Sequence, residues 1–304
     1  MIWFLLRRLA WIALTLWCVF TASFFLMRSV PGGPFDSERQ LEPEIRANRD
    51  RRFHLDEPLP QQYVRELGNA LRGDLGHSFK ADFTVNEIIA QGFPISAALG
   101  ILALAFALCL GMTAGILSAV RRRTLVDVAL MSAATIGIAL PNFVIAGMML
   151  MLFVFIWPVF PAGGWGSLEQ LILPAFCLGA PYAAYIARLV RTGMLDVLSQ
   201  DYIRTARAKG LPGRTIVLRH ALKGALLPVV SFLGPAIAGV LTGSLVIEQI
   251  FYIPGLGVHF IQAATQRDYT VAMGLVLLYT ALLSLMNLLV DLTYGLIDPR
   301  VRLE

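Results

Sequence analysis

Apolar residues in this chain come in long runs, not in strand-like alternation. Six runs predict membrane-crossing helices: 9–27, 95–120, 126–157, 168–189, 226–247 and 271–297. A crossing takes about 20 mostly apolar residues at a helical rise of about 1.5 Å each. The third and sixth runs are long enough to tilt or to extend beyond the hydrocarbon. Proline and glycine interrupt several of them, as at Pro141 and Pro181. Such breaks are tolerated where neighbouring helices satisfy the freed backbone groups. Interruptions of this kind line cavities in transport proteins, and small residues equally serve close helix packing.

The longest polar interruption between the late runs is 201–228, DYIRTARAKGLPGRTIVLRHALKGALLP. Read as a helix, Ile203, Ala206 and Gly210 share one face while Arg204 and Arg207 point elsewhere. Gly210-Leu211-Pro212-Gly213 ends that helix, since glycine accepts a left-handed backbone and proline cannot continue the ladder. Thr215 is placed to cap a second helix from Ile216, and Pro228 sits just inside the fifth run. The pattern predicts helix, turn, helix, leading into a span. Two uses fit it: a basic helix lying on anionic headgroups, or a docking element with small residues for close approach.

Composition supports the membrane reading. Of 304 residues, 57% are hydrophobic and 15% charged, with mean hydropathy +0.69. A soluble domain of this length needs more charge to cover its surface. The net charge of +5 does not point to nucleic acid, because basic patches interleaved with aromatics are absent. Cys18, Cys109 and Cys177 all fall in apolar runs and read as small apolar filler, not as a disulfide framework.

The charges set an orientation. Arg7 and Arg8, then Arg121, Arg122 and Arg123, then Arg204, Arg207, Lys209, Arg214, Arg219 and Lys223, and finally Arg300 and Arg302 all fall on one side if there are six spans. The short opposite loop 158–167 has no lysine or arginine, and 252–268 has only Arg267. Positive-inside places both termini and the basic loop in the cytoplasm. The first run follows Arg7 and Arg8 as a signal peptide would. It is longer than a usual signal core, and only Ser29-Val30-Pro31-Gly32-Gly33 follows, so an uncleaved anchor is expected. The organisation predicted is an anchor over 1–28, an outer segment over 29–94, and a core of five spans over 95–304 with a cytoplasmic loop at 192–225. The outer segment, with nine basic and eleven acidic residues over 28–94, is expected to form a partly helical cap.

Candidate chemistry is sparse. No G-x-x-x-x-G-K-[ST] loop occurs among the three lysines, Lys80, Lys209 and Lys223, so the chain has no nucleotide-hydrolysing loop of that type. His54, His77, His220 and His259 are scattered, without the spacing of a metal site. Asp291 lies within the sixth run, where a structural hydrogen bond is the expected role, and Glu248 is expected at the outer interface. An intramembrane enzyme would need a second group beside Asp291, and none is evident. A receptor or signalling subunit would more often carry a folded cytoplasmic domain.

With these residues in view, a resemblance adds to the reading. Ala206, Gly210 and Leu227-Pro228 resemble the cytoplasmic loop of bacterial ABC-importer permeases, whose pattern is Glu-Ala-Ala, glycine three residues on, then Ile-x-Leu-Pro. YIRTARAKG followed by RHALKGALLP is similar to the dipeptide and oligopeptide branch, closest to its first membrane subunit. LLRRLAWIALTLWCVFTASFFLMRSVPGGPF, HLDEPLPQQY, LRGDLGHSF, AYIARLVRTGML, TGSLVIEQIFYIPGLG and LIDPRVR extend the likeness over nearly the whole chain. Thr205 stands where many permeases have glutamate, as is common in the peptide branch, which removes any glutamate-based contact carried over from sugar importers.

The resemblance implies an all-α integral membrane protein of the type I ABC importer permease fold, in a bacterial inner membrane. It implies a coupling helix at Tyr202, Ile203, Thr205, Ala206, Arg207, Ala208, Lys209, Gly210 and Leu211, seated in a cleft of a cytoplasmic ATPase. Ala206 and Gly210 would give close packing, and Arg207 and Lys209 polar contacts. Two ATPase subunits, a second homologous permease and an external peptide-binding protein are the implied partners, besides lipid. Tyr252, Gly255 and Gly257 would face the binding protein. ATP and magnesium would sit on the ATPases, with no cofactor or metal on this chain. The implied cargo is dipeptides or oligopeptides; related permeases carry glutathione, nickel chelates or peptide antibiotics.

Overall fold

The computed structural model describes residues 2–31, 35, 48, 49, 51–241 and 245–297. Among them regular structure is helical, with one isolated bridge between His77 and Thr84 and no strand. Arg300 and Arg302, used above for orientation, lie outside the described residues, as do Gly32, Gly33 and 36–47 of the outer segment.

In chain order the helices are α1 (Ile2–Ser29), α2 (Leu59–Leu71), α3 (Val85–Val120), α4 (Leu125–Ala139), α5 (Asn142–Leu150, continued by a π-helical turn, Met151–Ile156) and α6 (Leu168–Leu198). Then follow α7 (Asp201–Ala208), α8 (213–225, with a π-helical turn Ile216–Ala221 at its centre), α9 (Leu227–Leu241), α10 (Leu245–Ile250), α11 (Leu256–Gln266) and α12 (Tyr269–Ile297). Among the described residues, five helical stretches are long and apolar enough to cross a membrane: α1, α3, α6, Leu227–Ile250 and α12. There are six if α4 and α5 make one crossing.

That last pair departs from the sequence expectation of one long span over 126–157. The two helices meet at 109°. Pro141 has no N–H to donate and pushes its predecessor out of the helical region, and Leu140 is extended at ψ 131. α4 has 15 residues, about 22 Å at helical rise, which is short of the hydrocarbon thickness of about 30 Å. Pro181 behaves oppositely: α6 runs unbroken through both Pro174 and Pro181.

The chain divides into two compact units. One holds 1–96 and 254–285 of the described chain. In it, Phe20 and Phe24 of α1 pack with Met273 of α12 and with Tyr63 and Leu67 of α2. The Tyr63 ring meets Phe20 and Phe24 edge-on, and its hydroxyl shares a 2.8 Å hydrogen bond with Thr21 Oγ1. Arg28 lies 3.7 Å over the Phe24 ring and donates to Gln62 and Glu66 of α2. α1 otherwise leaves Trp3, Trp11 and Trp17 exposed, so lipid or another subunit must cover it. A second cluster joins Val85 and Ile88 of α3, Leu256 of α11 and Leu275 of α12. Its polar tie is buried Asp268, which accepts from the Ser78 hydroxyl and, at 3.1 Å, from the Phe79 amide.

The other unit holds 97–253 and 286–297 of the described chain. Its spine is the contact of α3 with α6. Ala103, Ala107, Gly111, Gly115 and Ala119 recur every fourth residue on α3, facing Gly179, Ala183 and Ala187 on α6. A Cβ built on Gly111 would lie 2.6 Å from the Ala183 carbonyl oxygen, and one on Gly115 would lie 2.6 Å from that of Ala187. The backbones approach so closely only because no side chain intervenes, which is how helices gain packing energy where solvent offers no hydrophobic drive. Glu248, expected at an outer interface, is instead fully buried within this unit.

Candidate functional site

The basic loop is built onto the C-terminal ends of α3 and α6. Ser199 caps α6, one residue intervenes, and α7 begins at Asp201. Asp201 in its first turn and Arg207 in its last turn complement the helix dipole. Lys209 caps the helix, and Gly210 follows with φ +75, a left-handed conformation that ends α7 and turns the chain. The Gly210 amide bonds the Arg207 carbonyl at 2.9 Å, and Leu211 bonds Ala206 at 3.3 Å.

α7 has two different faces. Ile203 and Ala206 are buried in a cluster with Ala119, Val190, Met194, Ile216, Ala221 and Ala225. Tyr202, Arg204, Thr205, Arg207, Ala208 and Lys209 are exposed, as are Gly210 and Leu211 beyond the helix end. Ile203 and Ala206 thus anchor the helix to its own chain, and the outward surface is polar and basic. Gly210 does not share their face, because α7 stops at Ala208. A Cβ on Gly210 would meet nothing within 4 Å, so this glycine serves the turn, not a close contact within the chain.

The return is α8, which starts at Gly213 after Pro212 and not at Ile216. Thr215 sits inside it at φ −65 and ψ −41 and makes no side-chain cap, correcting the expected capping role. Proline at the cap fixes the entry without a side-chain acceptor. α8 lies close on α6: a Cβ on Gly193 would be 3.0 Å from both the Cα and the oxygen of Ala225. α9 then starts at Leu227 with Pro228 in its first turn, where a missing N–H costs nothing.

Sequence reading missed the polar centre of this region. Asp127, in the first turn of α4, is buried and accepts four hydrogen bonds. Arg191 of α6 donates through Nε at 2.8 Å to Oδ1 and through Nη2 at 3.0 Å to Oδ2. Ser118 Oγ donates at 2.5 Å and the Arg123 amide at 2.9 Å. The α3–α4 turn is therefore fastened to α6 ten residues before α7 begins. The available signals were Thr124 three residues ahead of an acid, a helix start, and an arginine just past the end of an apolar run.

The residues expected to face a binding protein separate. Tyr252 is exposed. Gly255 and Gly257 are buried and present no surface. Gly255 starts α11 where that helix meets α3: a Cβ on Gly92 would lie 2.9 Å from Leu256 Cδ2, and the Leu256 amide donates to Ser96 Oγ at 2.9 Å. These two glycines serve packing within their own unit.

A helical membrane core with a basic loop helix rooted on its own apolar face is the build of a transport-system membrane component. Residues 111–303 match the family described as binding-protein-dependent transport system inner membrane component, and the chain belongs to that family. Over 305 residues it is 46% identical to the oligopeptide transport system permease protein OppB of Escherichia coli (strain K12), covering 99% of this chain and 100% of the relative. It is 42% identical over 302 residues to the dipeptide transport system permease protein DppB of Bacillus subtilis (strain 168), covering 99% and 98%. Among solved structures, the inward-facing MetNI methionine ABC transporter in its CY5 native crystal form has TM-score 0.57 at 20% identity, covering 69% of this chain and 96% of that one. An amino acid ABC transporter with histidines has TM-score 0.53 at 17% identity, covering 68% and 93%. At such identities these structures speak for the fold alone.

Proposed function

We propose that this chain is the permease subunit of an ATP-binding cassette importer and forms half of an inner-membrane pathway for dipeptides or oligopeptides. A second homologous permease supplies the other half, two cytoplasmic ATPases the force, and an external peptide-binding protein the cargo. In this reading 1–28 anchors, 29–94 lies outside, and 95–304 forms the pathway with both termini cytoplasmic and six crossings, the bent α4–α5 pair counted as one. ATP and magnesium belong to the ATPases. The peptide cargo is supported by full-length similarity to permeases named for oligopeptides and dipeptides.

The observation that carries the coupling role is the division of α7: Ile203 and Ala206 buried in the chain's own core, Tyr202, Thr205, Arg207, Ala208 and Lys209 exposed. A helix held on one side transmits force applied to the other. Gly210 and Leu211 complete the surface at its end. Transmission requires that the ATPase contacts differ between the two states of the cycle; equal contact in both would move nothing.

Coupling is tested in the complete complex in nanodiscs. Ala208→Trp places a bulky ring on the exposed end of α7 without changing its backbone, and Gly210→Trp blocks the adjoining surface. Both are expected to abolish ATPase association and transport while the chain still inserts. Wild-type association and transport in Ala208→Trp would overturn the coupling role. Cargo is tested by mass spectrometry of the ligand held by the cognate binding protein, followed by uptake into proteoliposomes. Uptake of glutathione or a nickel chelate but of no peptide would overturn the peptide assignment.

A further inference from the structure

Beside α7 the cytoplasmic-reading surface carries a cavity of about 360 Å³, lined by the end of α3, the last turn of α6 and the start of α8. Its apolar lining is the exposed Val120 with the half-buried Leu195, Leu198 and Val217. At its edge stand Arg122 of the α3–α4 turn and Arg207 of α7. Both arginines are exposed, and neither has an ion-pair partner among the described residues.

The Arg122 wall is held in place. Asp127 accepts from the Arg123 amide at 2.9 Å, and the Thr124 hydroxyl donates to the Arg121 carbonyl at 2.6 Å. Arg123 takes a left-handed φ of 62 that turns the chain sharply there. Arg191 locks the whole turn to α6. The groove is thus a preformed surface with fixed walls.

Its distance from the apolar run selects the occupant. The run on α6 ends at residue 189, while Leu195 and Leu198 lie six and nine residues further along the same helix. At helical rise that is about 9–13 Å, past a headgroup layer of about 5–8 Å. Apolar side chains so placed need a protein cover, and two unpaired arginines at the rim call for a carboxylate.

We propose that this groove receives an apolar side chain flanked by a carboxylate from the cytoplasmic ATPase, Arg122 and Arg207 holding that carboxylate across the rim. The ATPase then engages two elements at once: the exposed face of α7 and the α3–α4 turn. This rests on the coupling reading above and adds a second contact to it.

The test uses the complete complex in nanodiscs with ATPase subunits titrated in. Arg122→Gln, and Arg122→Glu beside it, are expected to weaken association by about tenfold or more, the size of one charge-assisted contact. The wild-type affinity should fall more steeply with salt than that of Arg122→Gln. A photoreactive residue in place of Val217 should crosslink to the ATPase. Crosslinks to lipid or to the permease alone, or unchanged affinity in both Arg122 variants while Ala208→Trp abolishes association, would overturn the groove and leave the coupling helix standing. Unchanged association in Ala208→Trp and in Arg122→Glu alike would overturn both.

Discussion

Arg191 grips Asp127 with two parallel hydrogen bonds, Nε to Oδ1 at 2.8 Å and Nη2 to Oδ2 at 3.0 Å. The fork joins the first turn of α4 to α6, and Ser118 and the Arg123 amide complete the carboxylate's shell. All four donors require a full carboxylate. Asp127→Asn keeps the volume but turns one acceptor into a donor facing donors. It should lower the melting temperature on the order of 5 °C and loosen the α3–α4 turn. The swap Asp127→Arg with Arg191→Asp should not rescue it, because the Ser118 hydroxyl and the Arg123 amide would then face a cation. Thermal unfolding in detergent decides this, and restored stability in the swap would show that only the net charge pairing matters.

Two glycines separate packing from propensity. Gly111→Ala forces a Cβ to within 2.6 Å of the Ala183 carbonyl oxygen, so α3 and α6 must part. The expected loss is about 1–3 kcal/mol. Gly147→Ala, within α5, adds a Cβ with nothing inside 4 Å and should be neutral or stabilising by up to about 1 kcal/mol. Parallel unfolding curves check the contrast. Equal effects would mean that the α3–α6 approach is looser than the structure has it.

Much of this architecture is legible in the residues. Runs of apolar residues mark the crossings because water is absent over that length, and the stop after α7 follows from Gly210 and Pro212. What is not legible depends on partners far away in the chain. Pro141 and Pro181 look alike in sequence, yet α6 absorbs Pro181 while the chain bends 109° at Pro141. The face of α7 carrying Ile203 and Ala206 reads as a contact surface; only the fold shows that its contact is with Ala119, Met194 and Ile216 of the same chain. Asp127 and Arg191 are 64 residues apart, and no local pattern pairs them.

The contact between α1 and α2 should depend on pH. Burial raises the pKa of Glu66 above its ordinary 4.5, with Arg28 opposing that shift. A carboxyl raised in the folded state contributes stability that is complete below the unfolded value and is lost as pH rises through the folded one. Docking of α2 should therefore weaken as pH rises past about 4.5, the reference value. Glu66→Gln, which cannot ionise, should flatten that dependence. Hydrogen exchange of the α2 amides across pH, corrected for intrinsic rates, is the readout; equal slopes in wild type and variant would refute it.

Gly210 offers a graded test of the turn. Its φ of +75 is open to glycine, tolerated by asparagine and costly for other residues, while the space around its Cα is empty. Gly210→Ala therefore meets no clash and has only backbone strain, about 1 kcal/mol or more. Asparagine should cost less. The strain acts where α7 ends, so it should appear as fraying of Arg207 to Leu211 and not as global unfolding. ATPase-driven uptake in proteoliposomes should fall in the order glycine, asparagine, alanine, with the melting temperature nearly unchanged. The bulk of the added side chain cannot produce that order, since asparagine is larger than alanine. If uptake instead falls with side-chain size between alanine and asparagine, the bulk of the side chain against the ATPase outweighs the backbone conformation at this position.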